Sequence, residues 1–252
     1  MMNNNIKRVL VTGATGSVGR EVVNILVRNN LIPVAMVRDA LRGKEMLGNT
    51  ELFICDLQNI HSLKNIGANI DAIIFTHGSS SNAGAMELDY AGVANVLHAL
   101  ECHRPRIVLM TSIYVTQRSG TLMELKDWKR RSERLLRASG LEYTIVRPGY
   151  FDLIKPGDDC LILGQGDKLD GGVGRRQIAD VLVQSLLNNT ALSKTFELVA
   201  GQGNAPDEWG ALFKKLVADN GIDGAMDSLN MPLADEPENA KQDLARITRN
   251  MH

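Results

Sequence analysis

Two hydrophobic periods trade places along the chain. Val9-Leu10-Val11-Thr12 is a compact run with strand character. Behind it Val18, Val22, Ile25 and Leu26 recur on one helical face until Asn29-Asn30 close the segment. The exchange then repeats. Leu31 to Val37, Glu51 to Leu57, Asp71 to Gly78, Arg106 to Tyr114 and Tyr143 to Arg147 read as further strands. Between them Met86, Tyr90, Val93, Ala94 and Leu97 mark one helix over 83–100, and another runs from Thr121 to Arg137 before Gly140 stops it. Ser62 is expected to cap a short helix after the third strand, and Thr121-Leu122-Met123-Glu124 has the form of a capping box. Strands alternating with helices at this pace predict an α/β fold, a doubly wound parallel sheet with helices on both faces.

The pattern changes after Pro148-Gly149. Lys155-Pro156-Gly157-Asp158-Asp159 and the glycine-dense stretch 164–174 predict loops around one short strand, Cys160 to Leu163. A helix from Gln177 to Leu187, a strand from Thr195 to Val199, a helix from Pro206 to Ala218 and a last helix from Asn239 to Asn250 complete the reading. Residues 1–150 are therefore expected to form the ligand-binding core, and 151–252 a small region that completes the fold and closes a substrate pocket.

The three glycines Gly13, Gly16 and Gly19 sit where the first strand gives way to the first helix. One lets the chain turn, one lets backbone approach a bulky anion, and one lets helix and strand pack closely. The N-terminal N–H groups of that helix, at its positive dipole end, suit a dinucleotide pyrophosphate. In an open parallel sheet the ligand lies outside the strands' carboxyl ends, which here carry Arg38, Asp56 and Thr76-His77-Gly78. His77 either touches ligand or is satisfied by backbone. Arg38-Asp39 falls where the adenosine ribose is read: arginine grips a 2′-phosphate, an acid grips the free hydroxyls. Arg38 comes first, with Arg42 and Lys44 behind it on a helix face, so NADP is favoured and NAD stays possible through Asp39.

The chain has 252 residues, 44% of them hydrophobic, and a net charge of −1, which gives no electrostatic case for nucleic acid or an anionic membrane as main partner. No apolar run approaches the roughly 18 residues of a membrane span, and Met1 to Asn5 show no signal-peptide core, so the cytoplasm is the expected compartment. Cys55, Cys102 and Cys160 are isolated, with neither metal-ligand spacing nor a disulfide framework; Cys55 is expected in the core. The basic residues Lys126, Arg130, Arg131, Arg134 and Arg137 read as a solvated face of one helix, or as a surface for an acidic partner.

Several of these stretches together resemble one family, the atypical short-chain dehydrogenase/reductases of the NmrA-like, NAD(P)-binding group that includes flavin and biliverdin reductases. Thr12-Gly13-Ala14-Thr15-Gly16-Ser17-Val18-Gly19 is similar to the group's coenzyme fingerprint, Val37-Arg38-Asp39 to its second-strand end, and Asp56-Leu57 to the pair that holds adenine. Ser139 to Gly149 resembles its sixth-strand signature, and Gly174 to Ala179 its later arginine-to-alanine motif. The resemblance implies a Rossmann-type fold and a coenzyme held by Gly13, Thr15, Gly16, Ser17, Val18, Gly19, Arg38, Asp56, Leu57, Thr76, His77, Gly78 and Lys129. A monomer or a homodimer is also implied.

One departure bears on chemistry. Conventional members of the wider superfamily use a serine, a tyrosine and a lysine four residues after that tyrosine. Ser112 and Lys129 resemble two of these, but Leu125 stands at the tyrosine position and has no proton to give. The candidate catalytic set is then Ser112, Lys129 and Tyr114, which lies at the mouth of the fifth strand, unless the proton comes from solvent or from a group such as His77. The implied activity is NADPH-dependent reduction of a small flat acceptor, a flavin or a quinone. An NADP(H)-sensing regulatory or assembly protein is the alternative, and a sugar-nucleotide epimerase or dehydratase a weaker one.

Overall fold

The computed structural model describes residues 6–249; Met1 to Asn5, on which the signal-peptide reading fell, lie outside them. Strands β1 (Arg8–Thr12), β2 (Ile32–Val37), β3 (Glu51–Ile54), β4 (Ala72–Phe75), β5 (Arg106–Met110) and β6 (Tyr143–Pro148) pair in parallel. Beyond β6 the sheet continues through β10 (Lys194–Gly201), parallel, to β8 (Cys160–Gly164), antiparallel, while β7 (Tyr150–Phe151) and β9 (Gly172–Val173) pair in parallel as a separate ribbon. The order is β3-β2-β1-β4-β5-β6-β10-β8, so the winding reverses between β1 and β4. That reversal opens a crevice at the carboxyl ends of the two strands. Among the described residues no helix is long and apolar enough to cross a membrane.

Strand residues alternate between the two faces, as the period of two requires. Val9 and Val11 join the core under helices α1 (Ser17–Arg28) and α5 (Arg175–Leu187), together with Val22, Leu26, Ile178 and Leu182. Leu10 points the other way, to the core beneath α3 (Gly92–Ala99) and α4 (Met123–Ala138), with Val93, Val96 and Leu136. Helix α7 (Glu238–Arg249) packs Ala240 and Ile247 against Tyr90, Trp128 and Leu135. Residues after 150 thus supply two strands of the main sheet and part of each helical layer.

Several local expectations are corrected. The segment expected as one helix over 83–100 begins as a π-helix, Ala85–Ala91, before α3 takes over. Asn59, not Ser62, caps the 3₁₀ turn Ile60–Leu63; Ser62 instead bonds back to the carbonyl oxygens of Asp56 and Asn59. The Thr121 capping box does not form, because Leu122 takes a left-handed φ of 58° and turns the chain before α4 begins. Its place is taken from a distance: Asn82 Oδ1 accepts the Leu125 N–H at 3.1 Å. The helix expected from Pro206 to Ala218 is only α6 (Trp209–Lys214).

The largest correction concerns the arginines of α4. Arg130, Arg134 and Arg137 are buried, not solvated, and apart from Glu133 of α4 itself their acids come from the segment between α6 and α7. Arg134 bonds Asp223 at 2.9 Å and Glu236 at 2.6 Å, Arg130 reaches Asp223 and Asn230, and Arg137 reaches Asp219 and Glu133. Arg147 of β6 completes the set, holding Glu133 at 2.6 Å and Asp227 at 2.7 Å through two N–H···O bonds to each. Burial alone would raise the pKa of Glu133, but Arg147 and Arg137 hold it below the ordinary carboxylate value; Asp227 is likewise pulled to about 2.

Removing one partner of such a network strands the other charge in low dielectric. Glu133→Gln is expected to cost about 3–5 kcal/mol of stability. Urea unfolding would show it as a shift in midpoint at unchanged slope.

Candidate functional site

Helix α1 begins directly at the crevice, and its N-cap, Gly16, offers no side-chain hydrogen bond. The first N–H groups of the helix are therefore free for a ligand. Gly19 is on α1's inner side: a Cβ there would stand 2.2 Å from the Gly13 carbonyl oxygen, so any other residue would push helix and turn apart. This is the close-packing role, and Gly19 lines neither of the cavities that flank the turn.

The first cavity, of about 290 Å³, is lined by Gly13, Thr15, Gly16, Arg38, Asp56, Leu57, Thr76, His77 and Gly78. The second, of about 490 Å³, is lined by Gly16, Ser17, Val18, Ser112, Tyr114, Lys129 and the far sides of Thr76, His77 and Gly78. Gly16, Thr76, His77 and Gly78 border both, so the cavities form one continuous groove across the ends of β1, β4 and β5. Every candidate site residue except Gly19 lies on it.

His77 is locked. Its Nε2 lies 3.0 Å from the Leu88 carbonyl, which can only accept, so Nε2 carries the proton. Nδ1 then accepts from the Thr12 hydroxyl at 2.7 Å. Burial pushes the imidazole pKa down to about 4 despite the nearby Asp89. A neutral ring with both nitrogens engaged is a spacer between the cavities, and it has no proton to lend.

Lys129 is tied by a partner that sequence reasoning missed. Its Nζ donates to Asp89 Oδ1 at 2.5 Å, with both side chains buried, while Asp89 Oδ2 accepts from the Ser79 hydroxyl and N–H. Backbone passes so near this pair that a Cβ at Gly78 would stand 2.8 Å from Asp89 Oδ1. Asp89 belongs to the π-helix, whose widened turn sets it on the groove side while Tyr90 packs on Trp128. A signal was present: an acid three residues after Met86 and four before Val93, inside an otherwise apolar stripe.

Leu125 is buried on the wall of the second cavity, one turn before Lys129. Opposite stands Tyr114, held in the left-handed region at φ 70° because Asp167 accepts its N–H at 2.6 Å and also ties down Thr116. For a bulky residue that conformation is strained and persists only where the surroundings impose it. Burial and the charge of the Asp170 carboxylate hold the Tyr114 hydroxyl above the ordinary phenol pKa. Tyr150 and Phe151, just past the Pro148-Gly149 break, complete an aromatic wall. Their one sequence signal was that break. Among the described residues no cluster of three His, Cys, Asp or Glu is placed to hold a metal ion.

The glycine turn, the free helix N-terminus and the crevice at the winding reversal all fit a dinucleotide, and comparison with known proteins agrees. A model of NAD(P)H-binding proteins matches residues 13–189. The chain belongs to this NAD(P)H-binding family. The kinship with atypical short-chain dehydrogenase/reductases expected from the motifs therefore holds, as does the Rossmann-type fold. The chain is 31% identical over 229 residues to the chloroplastic protein TIC 62 of Arabidopsis thaliana, a match covering 76% of this chain and 35% of that protein. It is 28% identical over 222 residues to the UPF0659 protein YMR090W of Saccharomyces cerevisiae, covering 80% and 96%. This chain thus spans about a third of the length of TIC 62 and nearly all of the yeast protein. Among solved structures, the oxidoreductase ylbE from Lactococcus lactis superposes with a TM-score of 0.69 at 18% identity, covering 82% of this chain and 97% of that one. Together these show an NAD(P)H-binding chain of Rossmann-type fold.

The state of His77 has a measurable sign. Between its ordinary value of 6.5 and about 4, an unfolded chain takes up a proton that the folded ring refuses, so stability falls as pH falls through that window. His77→Asn should flatten this slope, and imidazole nitrogen shifts should report a neutral Nε2–H tautomer at pH 5.

Proposed function

We propose that this protein is an NADP-dependent reductase of a small planar acceptor, with the coenzyme's adenosine end in the first cavity and the acceptor in the second. The observation that carries the reading is the continuity of the two cavities past the free N-terminus of α1. A dinucleotide with its pyrophosphate at that helix end would reach from Arg38 and Asp56 toward Lys129 and Ser112.

Coenzyme choice follows from what Asp39 is doing. Its carboxylate accepts the N–H groups of Leu41 and Arg42, at 2.8 and 3.1 Å, as the N-cap of helix α2 (Ala40–Leu47). An acid engaged in capping is poorly placed to accept from ribose hydroxyls, whereas Arg38 is exposed on the groove and can pair with a 2′-phosphate.

The nicotinamide would supply the hydride. What the chain's own residues do is position and charge the site. Lys129, balanced by Asp89, presents its ammonium toward the groove, and Ser112 offers a hydroxyl at the end of β5. Leu125 cannot donate a proton, His77 is locked neutral, and the Tyr114 hydroxyl is held above the ordinary phenol pKa. On this reading the proton that balances reduction comes from water entering the open cavity, and Tyr114 serves as a wall.

Two outcomes test this. NADPH should bind at least tenfold tighter than NADH, a gap of about 1.4 kcal/mol, in a fluorescence titration at fixed salt, and Arg38→Ala should erase the difference. In steady-state reduction of flavins or quinones, Tyr114→Phe should escape the loss of about 10²–10⁴ that removing a general acid brings.

Leu125 also favours a second reading, a coenzyme sensor without turnover. Tight NADPH binding with no acceptor reduced, and a coenzyme-dependent change in association, would select it.

A further inference from the structure

We infer that the second cavity selects planar molecules carrying an anionic substituent, and that Lys126 is the residue that reads the charge. This rests on the reductase reading and adds the charge class of the acceptor.

Helix α4 turns Leu125, Lys126 and Lys129 toward the cavity. The two lysines differ in their electrostatic standing. Lys129 is neutralised by Asp89 at 2.5 Å. Lys126 is half-buried, and among the described residues no carboxylate lies within the 4.0 Å of an ion pair. The adjacent acid on the helix is engaged elsewhere: Asp127 pairs with Arg118 at 2.7 Å. The one contact that favours the Lys126 ammonium is the Tyr114 ring, 5.5 Å from Nζ to centroid, and a cation–π contact leaves the positive charge uncompensated.

An unbalanced, half-buried cation on the wall of a cavity favours an anion there over a neutral group. That anion is not the coenzyme's 2′-phosphate, since Arg38, which would read it, lines the first cavity and Lys126 lines only the second. Planarity follows from the rest of the wall. The Tyr114 and Tyr150 rings lie 6.3 Å apart, tilted by 58°, and Tyr150 and Phe151 remain 52% and 40% exposed at the mouth. Aromatic faces left open beside a cavity are suited to cover a flat ring. A planar ring against these side chains would bring its substituent toward Lys126, as a phosphate, sulfonate or carboxylate.

Matched pairs isolate the charge. FMN and riboflavin share one ring and differ by a phosphate; anthraquinone-2-sulfonate and 2-hydroxymethylanthraquinone differ in the same sense. Binding of each is followed by fluorescence quenching at low salt, with and without NADP⁺, so no turnover is needed. The anionic member of at least one pair should bind at least tenfold tighter, and Lys126→Met should abolish that gap while leaving the neutral member unchanged. Lys126→Arg should restore it. Equal binding within both pairs, a gap that survives Lys126→Met, or no binding of any of the four overturns the inference. The two readings also fail separately. A protein that binds NADPH but none of the four probes keeps its coenzyme assignment and loses this inference, whereas one that discriminates through Lys126 yet reduces neither anion keeps the inference and loses the reductase.

Discussion

The buried pairing of Glu133 with Arg147 is the contact on which the rest of the molecule leans. Glu133 sits mid-way along α4, fully buried, and one of its oxygens also accepts from the Thr111 hydroxyl at the end of β5. Arg147 lies on β6 and shares itself with Asp227. One carboxylate and one guanidinium thus join two central strands, a helix and the segment before α7. Such a cluster contributes little net stability over an apolar core of the same shape, but it tolerates few alternative arrangements, because each buried charge must find its partner.

That specificity is felt in the groove. The register of α4 decides which residues face the cavity, and with Glu133 and the arginines held on the inner side, Leu125, Lys126 and Lys129 face the crevice. The segment before α7 reaches the site as well. Asn230 accepts from Arg130 and donates to the Thr116 carbonyl, steadying the loop that carries Tyr114 from the side opposite Asp167. Residues with no place on the groove therefore set its shape.

Electrostatics within the groove are unevenly distributed. His77 is kept neutral and the Asp89–Lys129 pair is balanced, which leaves the helix N-terminus, Arg38 and Lys126 as the uncompensated positive features. Each lies at a different point along the path, at the pyrophosphate, ribose and acceptor positions of the proposed complex. In the proposed complex the groove would hold anions in a row beside an apolar and aromatic wall.

Much of this is legible in the order of the residues alone. Hydrophobic periodicity locates the central strands and main helices, and the glycine spacing locates the ligand edge, because both are local: strand alternation, helical stripes and tight turns are imposed by near neighbours in the chain. Leucine at position 125, in place of a proton-donating tyrosine, is equally plain from the chain itself. What the tertiary structure decides is long-range pairing of charge. Basic residues repeating along α4 look like a solvated face, and only folding brings Asp219, Asp223, Asp227 and Glu236 onto them from about a hundred residues away. The same holds for Asp89 and Lys129, forty positions apart, and for Asn82 as a distant helix cap. Near-neighbour sterics and burial are written in the order of the residues, whereas a charge's partner depends on which distant segment the fold lays beside it.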